Sequence, residues 1–584
     1  MALSTAPSVE EQFDQTVVQD IALFRSQVED FLAGRLTDDE FRAFRLRRGV
    51  YGQRQPNVHM IRTKIPGGLA SAKQFEMLAD IADKYASGRG HLTTRQNMQY
   101  HFIPLPRVPD LLLELGSVRL TTREACYNTV RNVTGDTLAG IAADEVFDIS
   151  PYLRQVAYAF LHKELTDSLP RKFKISFSAT PGDTMQGGLH DLGFIARIVD
   201  GQRGFRVLAA GGLGPLPCEA GVLDDFLPAD KIVNRAEAVI RVFNKYGNRK
   251  NKHKARLKFI IRERGWDWFV EHVEQEYADI LANGGIAVPL EVPRDFGAYS
   301  PEGLQLGKGE LPPVLPERAP EYQAWLASNV KPQRQPGYAI VTVKIPQGNM
   351  TSAEMRAVAD VARRAGDGLV RVTIEQNLVL AWIPQARLAE VHGALAEAGL
   401  AEAGANEIED VVTCPGAWSC NLGITKTMNL GEALSTLVKN YRDPLVRKLS
   451  IKASGCPNSC GQHWIGDLGF FGNVRKMNGA EVPYYQMLLG GGKDRDGLLK
   501  YGFTVHSIPA KSVPVAVQRV LAHYQENRVE GETFREYVLR FRIETFRGLV
   551  ADLVKPMDLE PDAYKDWGDD EKFSLQLGRA ECAA

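Results

Sequence analysis

The 584-residue sequence predicts an α/β fold with mixed sheets, in which two similar halves are related by a pseudo-twofold axis. The first observation is a repeat: residues 55–104 align without a gap on residues 335–384, and fifteen of the fifty pairs are identical. Chance would give roughly three, so the match indicates duplication. The second observation is that each copy reads as alternating apolar residues, an amphipathic helix and another alternating run, which is typical of strand, helix and strand.

The repeat continues beyond these small modules. Residues 171–194 align without gaps on residues 447–470, and ten of the twenty-four pairs are identical. Each half therefore contains a small module followed by a larger α/β domain. Two halves of one plan are expected to pack around their axis, with a binding site where they meet.

The length exceeds what one hydrophobic core supports, so several domains are expected. In order, the predicted segments are an N-terminal helical extension (1–54), a first small module (55–120), a first α/β domain (121–300), a linker (301–334), a second small module (335–405), a second α/β domain (406–560) and a C-terminal tail (561–584).

Composition restricts the classes of function. The formal net charge is −1 and 44% of the residues are hydrophobic, so no overall charge excess favours nucleic acid as a partner. The sequence begins with no secretory pattern and contains no apolar run long enough to span a membrane. Seven cysteines are an odd number, which argues against a disulfide framework. A reducing cytoplasm is the expected location.

Four cysteines in the last third of the chain form two close pairs. Pro-Gly-Ala-Trp-Ser separates Cys414 from Cys420, and Pro-Asn-Ser separates Cys456 from Cys460. Two short loops that each offer two thiolates suit an iron–sulfur cluster or a zinc ion. Structural zinc sites more often have two residues between paired cysteines. The spacing therefore favours a cluster over zinc or unrelated buried cysteines.

The two halves differ at residues that carry charge or sulfur. Cys414, Cys456 and Cys460 have threonines at the paired positions of the first half. Conversely, six basic or imidazole side chains have no counterpart in the second half: Arg62, Arg95, His101, Arg131, Lys174 and His190. This asymmetry predicts one cluster, supplied by the second half, and an anion pocket supplied by the first.

The cysteine spacing, which ends in Asn-Ser-Cys460-Gly-Gln-His463, resembles the sulfite and nitrite reductase family. The resemblance runs from about residue 40 to residue 550. It implies ferredoxin-like small modules, a [4Fe-4S] cluster held by the four cysteines, and a sirohaem whose iron shares Cys460 with the cluster.

The resemblance also implies roles for the basic residues. The positions that match the family's substrate-binding cations are Arg62, Arg131, Lys172 and Lys174. Lys172 is the weakest by the comparison of halves, because Lys448 occupies its paired position. Segments similar to the family's sirohaem contacts contain Arg95, His101 and His190.

A basic run follows in the first half at residues 248–258, where six residues are Lys or Arg. The candidate cofactor contacts among them are Arg249, Lys252, Lys254 and Arg256. Alone, such a run could bind nucleic acid or form a solvated face. No nucleic-acid module accompanies it. The resemblance implies instead that it faces the carboxylates of sirohaem.

The predicted reaction is the six-electron reduction of sulfite to sulfide, with nitrite reduction to ammonia as the alternative. A zinc-binding or an RNA-binding protein is the alternative from a different class. No dinucleotide fingerprint is present, so electrons are expected from a ferredoxin or a flavoprotein subunit. Cys126 is more simply an ordinary buried thiol than part of the pocket. No role is predicted for Cys218 or Cys582.

Overall fold

The computed structural model describes residues 9–288, 306–311, 319–495, 497–554, 561–578 and 581. The described part of the chain begins with two helices, α1 (Val9–Leu32) and α2 (Asp38–Arg47). The first small module then contains β1 (Val50–Gly52), β2 (Val58–Arg62), β3 (Leu69–Ser71), α3 (Ala72–Tyr85), β4 (Arg89–Leu92), β5 (Met98–Pro104) and α4 (Val108–Ser117). Strand β1 pairs with β2, so residues 50–52 join the sheet of this module although the predicted boundary leaves them in the extension.

The first large domain follows directly. Its elements are β6 (Thr134–Gly135), α5 (Ser150–Ala159), α6 (Glu164–Asp167), β7 (Ile175–Ser178), β8 (Leu192–Val199), β9 (Gln202–Ala209), β10 (Gly221–Pro228), α7 (Ile232–Tyr246), α8 (Lys258–Arg264) and α9 (Trp266–Ala282). The sheet order is β10-β9-β8-β7-β6, and β6, β7 and β8 run parallel whereas β8, β9 and β10 run antiparallel.

The second half repeats the small module. A helix and a strand lie within the predicted linker, α10 (Pro320–Asn329) and β11 (Val330–Pro332). The module continues with β12 (Tyr338–Val343), β13 (Asn349–Thr351), α11 (Ser352–Ala365), β14 (Leu369–Val372), β15 (Leu378–Pro384) and α12 (Leu388–Glu397). Helices α3 and α11 begin alike, because Ser71 caps the backbone N–H of Gln74 and Thr351 caps that of Glu354.

The second large domain also repeats its counterpart. Its elements are β16 (Val412–Thr413), α13 (Thr427–Val438), α14 (Pro444–Arg447), β17 (Ile451–Ser454), β18 (Leu468–Met477), β19 (Ala480–Leu489), β20 (Gly492–Lys493), β21 (Leu499–Lys500), β22 (Phe503–Pro509), α15 (Val513–Asn527), α16 (Phe534–Leu549) and α17 (Ala551–Val554). The sheet order β16-β17-β18-β19-β22 again combines two parallel and two antiparallel pairs.

The two small modules exchange edge strands. The first sheet has the order β1-β2-β5-β4-β13 and the second β11-β12-β15-β14-β3, so each sheet ends in a strand of the other half. Helices α3 and α11 bury one continuous core that includes Phe75, Tyr100 and Met355. The predicted duplicated α/β architecture is thus confirmed, and the halves are joined through shared sheets.

No described helix has the length and apolar character needed to cross a membrane.

Candidate active site

The two cysteine pairs lie at one edge of the second large sheet. Strands β16 and β17 are parallel neighbours, Cys414 directly follows β16, and Cys456 lies two residues after β17. Carboxyl ends of parallel neighbours meet at the same sheet edge, so the two loops come into contact. A Cβ on Gly455 would lie 2.6 Å from the Cα of Gly416, and glycine at this position therefore permits the approach.

The donor set fits a cationic cluster. Burial raises the pKa of Cys414 to about 12, with a further contribution from the charge of Cys460, and the same two causes raise the pKa of Cys456. Four neighbouring thiolates can ionise together only when a cationic centre offsets their charge. Two N–H groups already point at sulfur, Gly455 N to Cys414 Sγ (3.3 Å) and Asn458 Nδ2 to Cys456 Sγ (3.4 Å).

A single metal ion fits less well. Within the described part of the chain, no three His, Cys, Asp or Glu side chains are placed to hold one metal ion. Cys420 and Cys460 are exposed residues, and burial nevertheless raises the pKa of the Cys420 thiol.

Cations of the first half lie close enough to Cys460 for their charges to interact. Burial lowers the pKa of Lys172 to about 7, nearby Arg171 and Arg131 lower it further, and Cys460 raises it. Burial lowers the pKa of Lys174, and the positive charges of Arg95 and Lys172 lower it further. The charge of Cys460 acts in the opposite direction and raises it. Mutually opposing positive charges beside a thiol indicate a pocket for an anion.

Arg131 and Arg62 are held by contacts with a backbone carbonyl and with a thiol. Arg131 donates from Nη1 to the carbonyl of Ala125 (3.0 Å), and burial lowers its pKa to about 10. Arg62 directs Nη1 to the Sγ of Cys126 at 3.8 Å. Cys126 is fully buried, and this contact places it beside Arg62, whereas the sequence favoured an ordinary buried thiol with no part in the pocket.

Both predicted histidines lie beside this pocket. Arg95 Nη1 is 2.7 Å from His190 Nε2, and His190 Nδ1 is 2.6 Å from the carbonyl of Gln186. These partners assign the proton to Nδ1, so the imidazole is neutral, and burial lowers its pKa well below the usual value. His101 is buried against Trp418 of the cysteine loop, with ring centroids 5.3 Å apart.

The basic run divides into two groups. Arg256 reaches the pocket, where it pairs with Asp191 at 2.8 Å and lowers the pKa values of Lys172 and Lys174. Arg249 and Lys254 are exposed, and Arg249 donates to the carbonyl of Ser168. Lys252 lies beside them in a short 3-10 turn. These three are not among the charges that act most strongly on Lys172 and Lys174. Their contact with sirohaem stays a prediction.

Two cations near the site were not predicted. Arg171 contributes to the charge around Lys172, and Arg54 is near enough to Cys420 for their charges to interact. Lys258, the last residue of the basic run, is buried and donates to the carbonyl of Leu213 (2.9 Å). Comparison of the halves could not find Arg171 or Arg54, because Arg447 and Arg334 occupy the paired positions.

Asp191 supplies a fully buried carboxylate behind the cations, and its loss is expected to destabilise the first large domain. Asp191→Asn would leave Arg256 without its ionic partner and weaken the acceptor for Lys174 N (2.8 Å). The expected loss is about 3–5 kcal/mol in free energy of unfolding, measured by native-state hydrogen exchange of β7 and β8.

The matched control is Asp225→Asn. That carboxylate is 93% exposed and 3.8 Å from Arg206, so a change within about 0.5 kcal/mol is expected. Equal protection of β7 and β8 in Asp191→Asn and wild type would contradict the role given to Asp191.

Comparisons with known proteins agree with this geometry. The family model described as "Nitrite and sulphite reductase 4Fe-4S domain" matches residues 126–281 and 404–556. The model described as "Nitrite/Sulfite reductase ferredoxin-like half domain" matches residues 51–118 and 331–398. Both models match twice, once in each half, which follows the duplication.

Individual relatives are more distant. The chain is 28% identical to sulfite reductase (ferredoxin) 1 of Mycolicibacterium paratuberculosis, over 84% of this chain and 83% of the relative. It is 29% identical to ferredoxin–nitrite reductase of Synechococcus elongatus, over 77% and 82%. The solved structure of the Mycobacterium tuberculosis NirA protein superposes with a TM-score of 0.75 at 26% identity, covering 90% of this chain and 95% of that one.

The fold and the paired cysteine loops define a cluster-binding oxidoreductase of duplicated α/β architecture. The chain belongs to the nitrite and sulphite reductase family. The predicted family, the class of enzyme and the two cofactors, a [4Fe-4S] cluster and sirohaem, are confirmed.

Proposed function

We propose that this protein reduces sulfite to sulfide with electrons from ferredoxin. The observation that carries the proposal is the convergence of Arg131, Lys172 and Lys174 on Cys460, a thiol of the cluster loop. The substrate anion and the electron source would thus meet at one point. Similarity to sulfite reductases over more than four-fifths of the chain supports the choice of substrate.

The residues that would hold the cofactors follow from the site. Cys414, Cys420, Cys456 and Cys460 would bind the cluster. The cations Arg95, Arg171 and Arg256 would meet the carboxylates of sirohaem, beside His101 and His190. When bound, sirohaem supplies the iron centre at which the anion accepts electrons.

The remaining basic residues would act on the substrate. Hydrogensulfite, six electrons and six protons give hydrosulfide and three waters, so each departing oxygen takes up protons. Arg62 and Arg131 would hold the oxygens by hydrogen bonds that strengthen as negative charge gathers on them. Lys172 and Lys174 are the candidate proton donors, because a buried lysine releases a proton far more readily than an arginine.

The donor is proposed to be ferredoxin rather than a flavoprotein subunit. The relatives from mycobacteria, a cyanobacterium and plants carry ferredoxin in their names. The cysteine loop comes near the surface at Trp418, which is 39% exposed, so an external one-electron donor could approach the cluster there.

A paired steady-state assay tests the substrate. Purified protein containing both cofactors is supplied with reduced methyl viologen, and sulfite and nitrite are compared by kcat/KM. A higher kcat/KM for sulfite, with sulfide released in proportion to electrons consumed, is the expected result. A strong preference for nitrite would transfer the proposal to ammonia formation and leave the site residues in place. Activity with neither anion would refute it.

A further inference from the structure

The C-terminal segment crosses the cluster half toward the first module. Asp566 accepts a hydrogen bond from Lys426 N (2.6 Å), and Leu575 N donates to Glu481 (2.7 Å). Further along, Gly578 N donates to the carbonyl of Asn421 (3.0 Å), the residue after Cys420. The segment therefore passes directly against the cysteine loop.

Glu581, the last residue that the structure describes, lies in a buried site of the N-terminal region. Its side chain is 9% exposed and that of its partner Arg45 is 5% exposed. The carboxylate accepts from Arg45 Nη1 (2.8 Å) and Nη2 (2.5 Å) and from the backbone N–H of Gly52 (2.5 Å). A Cβ on Gly52 would lie 2.5 Å from Glu581 Oε1, so a larger residue at position 52 would displace the carboxylate from this position.

Gly52 lies on a strand that touches both parts of the site. Its strand β1 pairs with β2, and β2 ends at Arg62, whose N–H donates to the carbonyl of Gly49 (3.0 Å). On the other side, Asn421 Nδ2 donates to the carbonyl of Gly52 (3.3 Å) and Arg54 N to that of Ser419 (3.0 Å). Strand β1 thus pairs with the strand that carries Arg62. Gly52 and Arg54 also support the cysteine loop.

The pocket thiol Cys126 provides supporting evidence. Burial raises its pKa, Arg62 and Arg131 lower it, and the charge of Glu581 raises it. The carboxylate is therefore within electrostatic range of the thiol that Arg62 contacts.

We propose that Glu581 is a positioning residue of the active site, whose carboxylate fixes β1 through Gly52 and Arg45 and thereby sets the relative placement of Arg62 and the cysteine loop. The anion-binding part of this inference rests on the proposed function. A buried carboxylate supplied from the far end of the chain ties together two surfaces that belong to different halves. A buried ion pair adds little net stability, but removal of one partner is costly because it leaves the other charge buried and unpaired.

The test uses Glu581→Ala in the protein isolated with its cofactors. Sulfite is titrated into oxidised protein and its Kd is read from the visible spectrum, and iron release to bathophenanthroline is followed without substrate. We expect Kd to rise by about ten- to a hundredfold, because small displacements of binding groups have effects of that size. Iron release is expected to be faster than in wild type. Glu571→Ala, at an exposed residue of the same segment, is expected to match wild type in both.

A double variant separates positioning from simple stabilisation. Arg45→Met with Glu581→Ala leaves no unpaired buried charge, so its Tm is expected to recover while sulfite binding stays weak. Recovery of Kd together with Tm, or a wild-type Kd and iron release in Glu581→Ala, would overturn the inference. The titration is repeated with nitrite. If wild-type protein binds nitrite and not sulfite, the proposed substrate is refuted. The ratio of the nitrite Kd values of variant and wild type then decides the role of Glu581.

Discussion

Replacement of Cys460 by serine is expected to abolish the cluster and nearly all reductase activity. Cys460 raises the pKa values of Arg131, Lys172 and Lys174, and it is among the charges that raise those of Cys414 and Cys456, so it connects the cysteine group with the anion pocket. Loss of an outer-shell partner of a metal commonly costs 10–100-fold, so loss of a ligand is expected to cost about 10³-fold or more. Iron content, visible absorption and methyl viologen oxidation are the measurements.

Cys218→Ser is the matched control for this experiment. Cys218 is a partly buried free thiol whose Sγ contacts the carbonyl of Glu219 (3.4 Å), outside the paired cysteine loops. It is expected to retain iron and activity. A Cys460→Ser protein that reduces substrate at the native rate would remove the assignment of Cys460 as the shared ligand.

Removal of the charge at Lys172 is expected to lower kcat/KM by about 10²-fold. In other enzymes, loss of one donor that stabilises developing negative charge has an effect of this size. Lys172→Met keeps most of the side-chain length and removes both the positive charge and the proton. The iron content and the visible spectrum should remain close to those of wild type, because Lys172 is not a cluster ligand and is not part of the hydrophobic core. Steady-state kinetics with sulfite measure the effect.

The pseudo-twofold axis supplies the control, since Lys448 occupies the paired position in the second half. Lys448 is exposed, so Lys448→Met is expected to leave kcat/KM within about twofold of wild type. Equal kcat/KM values for the two variants would show that Lys172 does not act on the substrate.

Comparison of the two halves selected much of the candidate site from sequence, because duplicated scaffolds differ where function differs. It selected Arg62, Arg95, Arg131 and Lys174 on this ground alone. It passed over Arg171 because Arg447 has the same side chain, although their surroundings differ. Arg447 pairs with Glu407 (Nε to Oε2, 2.8 Å), whereas Arg171 adds its charge to other cations. Side-chain identity does not determine environment, so this residue needed the structure.

Other features depend on contacts between distant segments. The Arg45–Glu581 pair joins residues 536 positions apart, and no local pattern marks either member. The basic run showed the same limit, because its charge pattern could not tell Arg256, which turns toward Asp191, from exposed Arg249 and Lys254. Strand exchange was also hidden, since the repeat predicts each module but not which half completes its sheet.

The exchanged strands have a consequence for synthesis on the ribosome. Strand β4 ends at residue 92, but its partner β13 begins only at residue 349. At translation rates of roughly 5–20 residues per second, this edge waits about 13–50 s for its neighbour. An open strand edge is a template for pairing with other chains. The nascent first half is therefore the stage at which this protein is most exposed to misassembly, and chaperone protection would matter most during that interval.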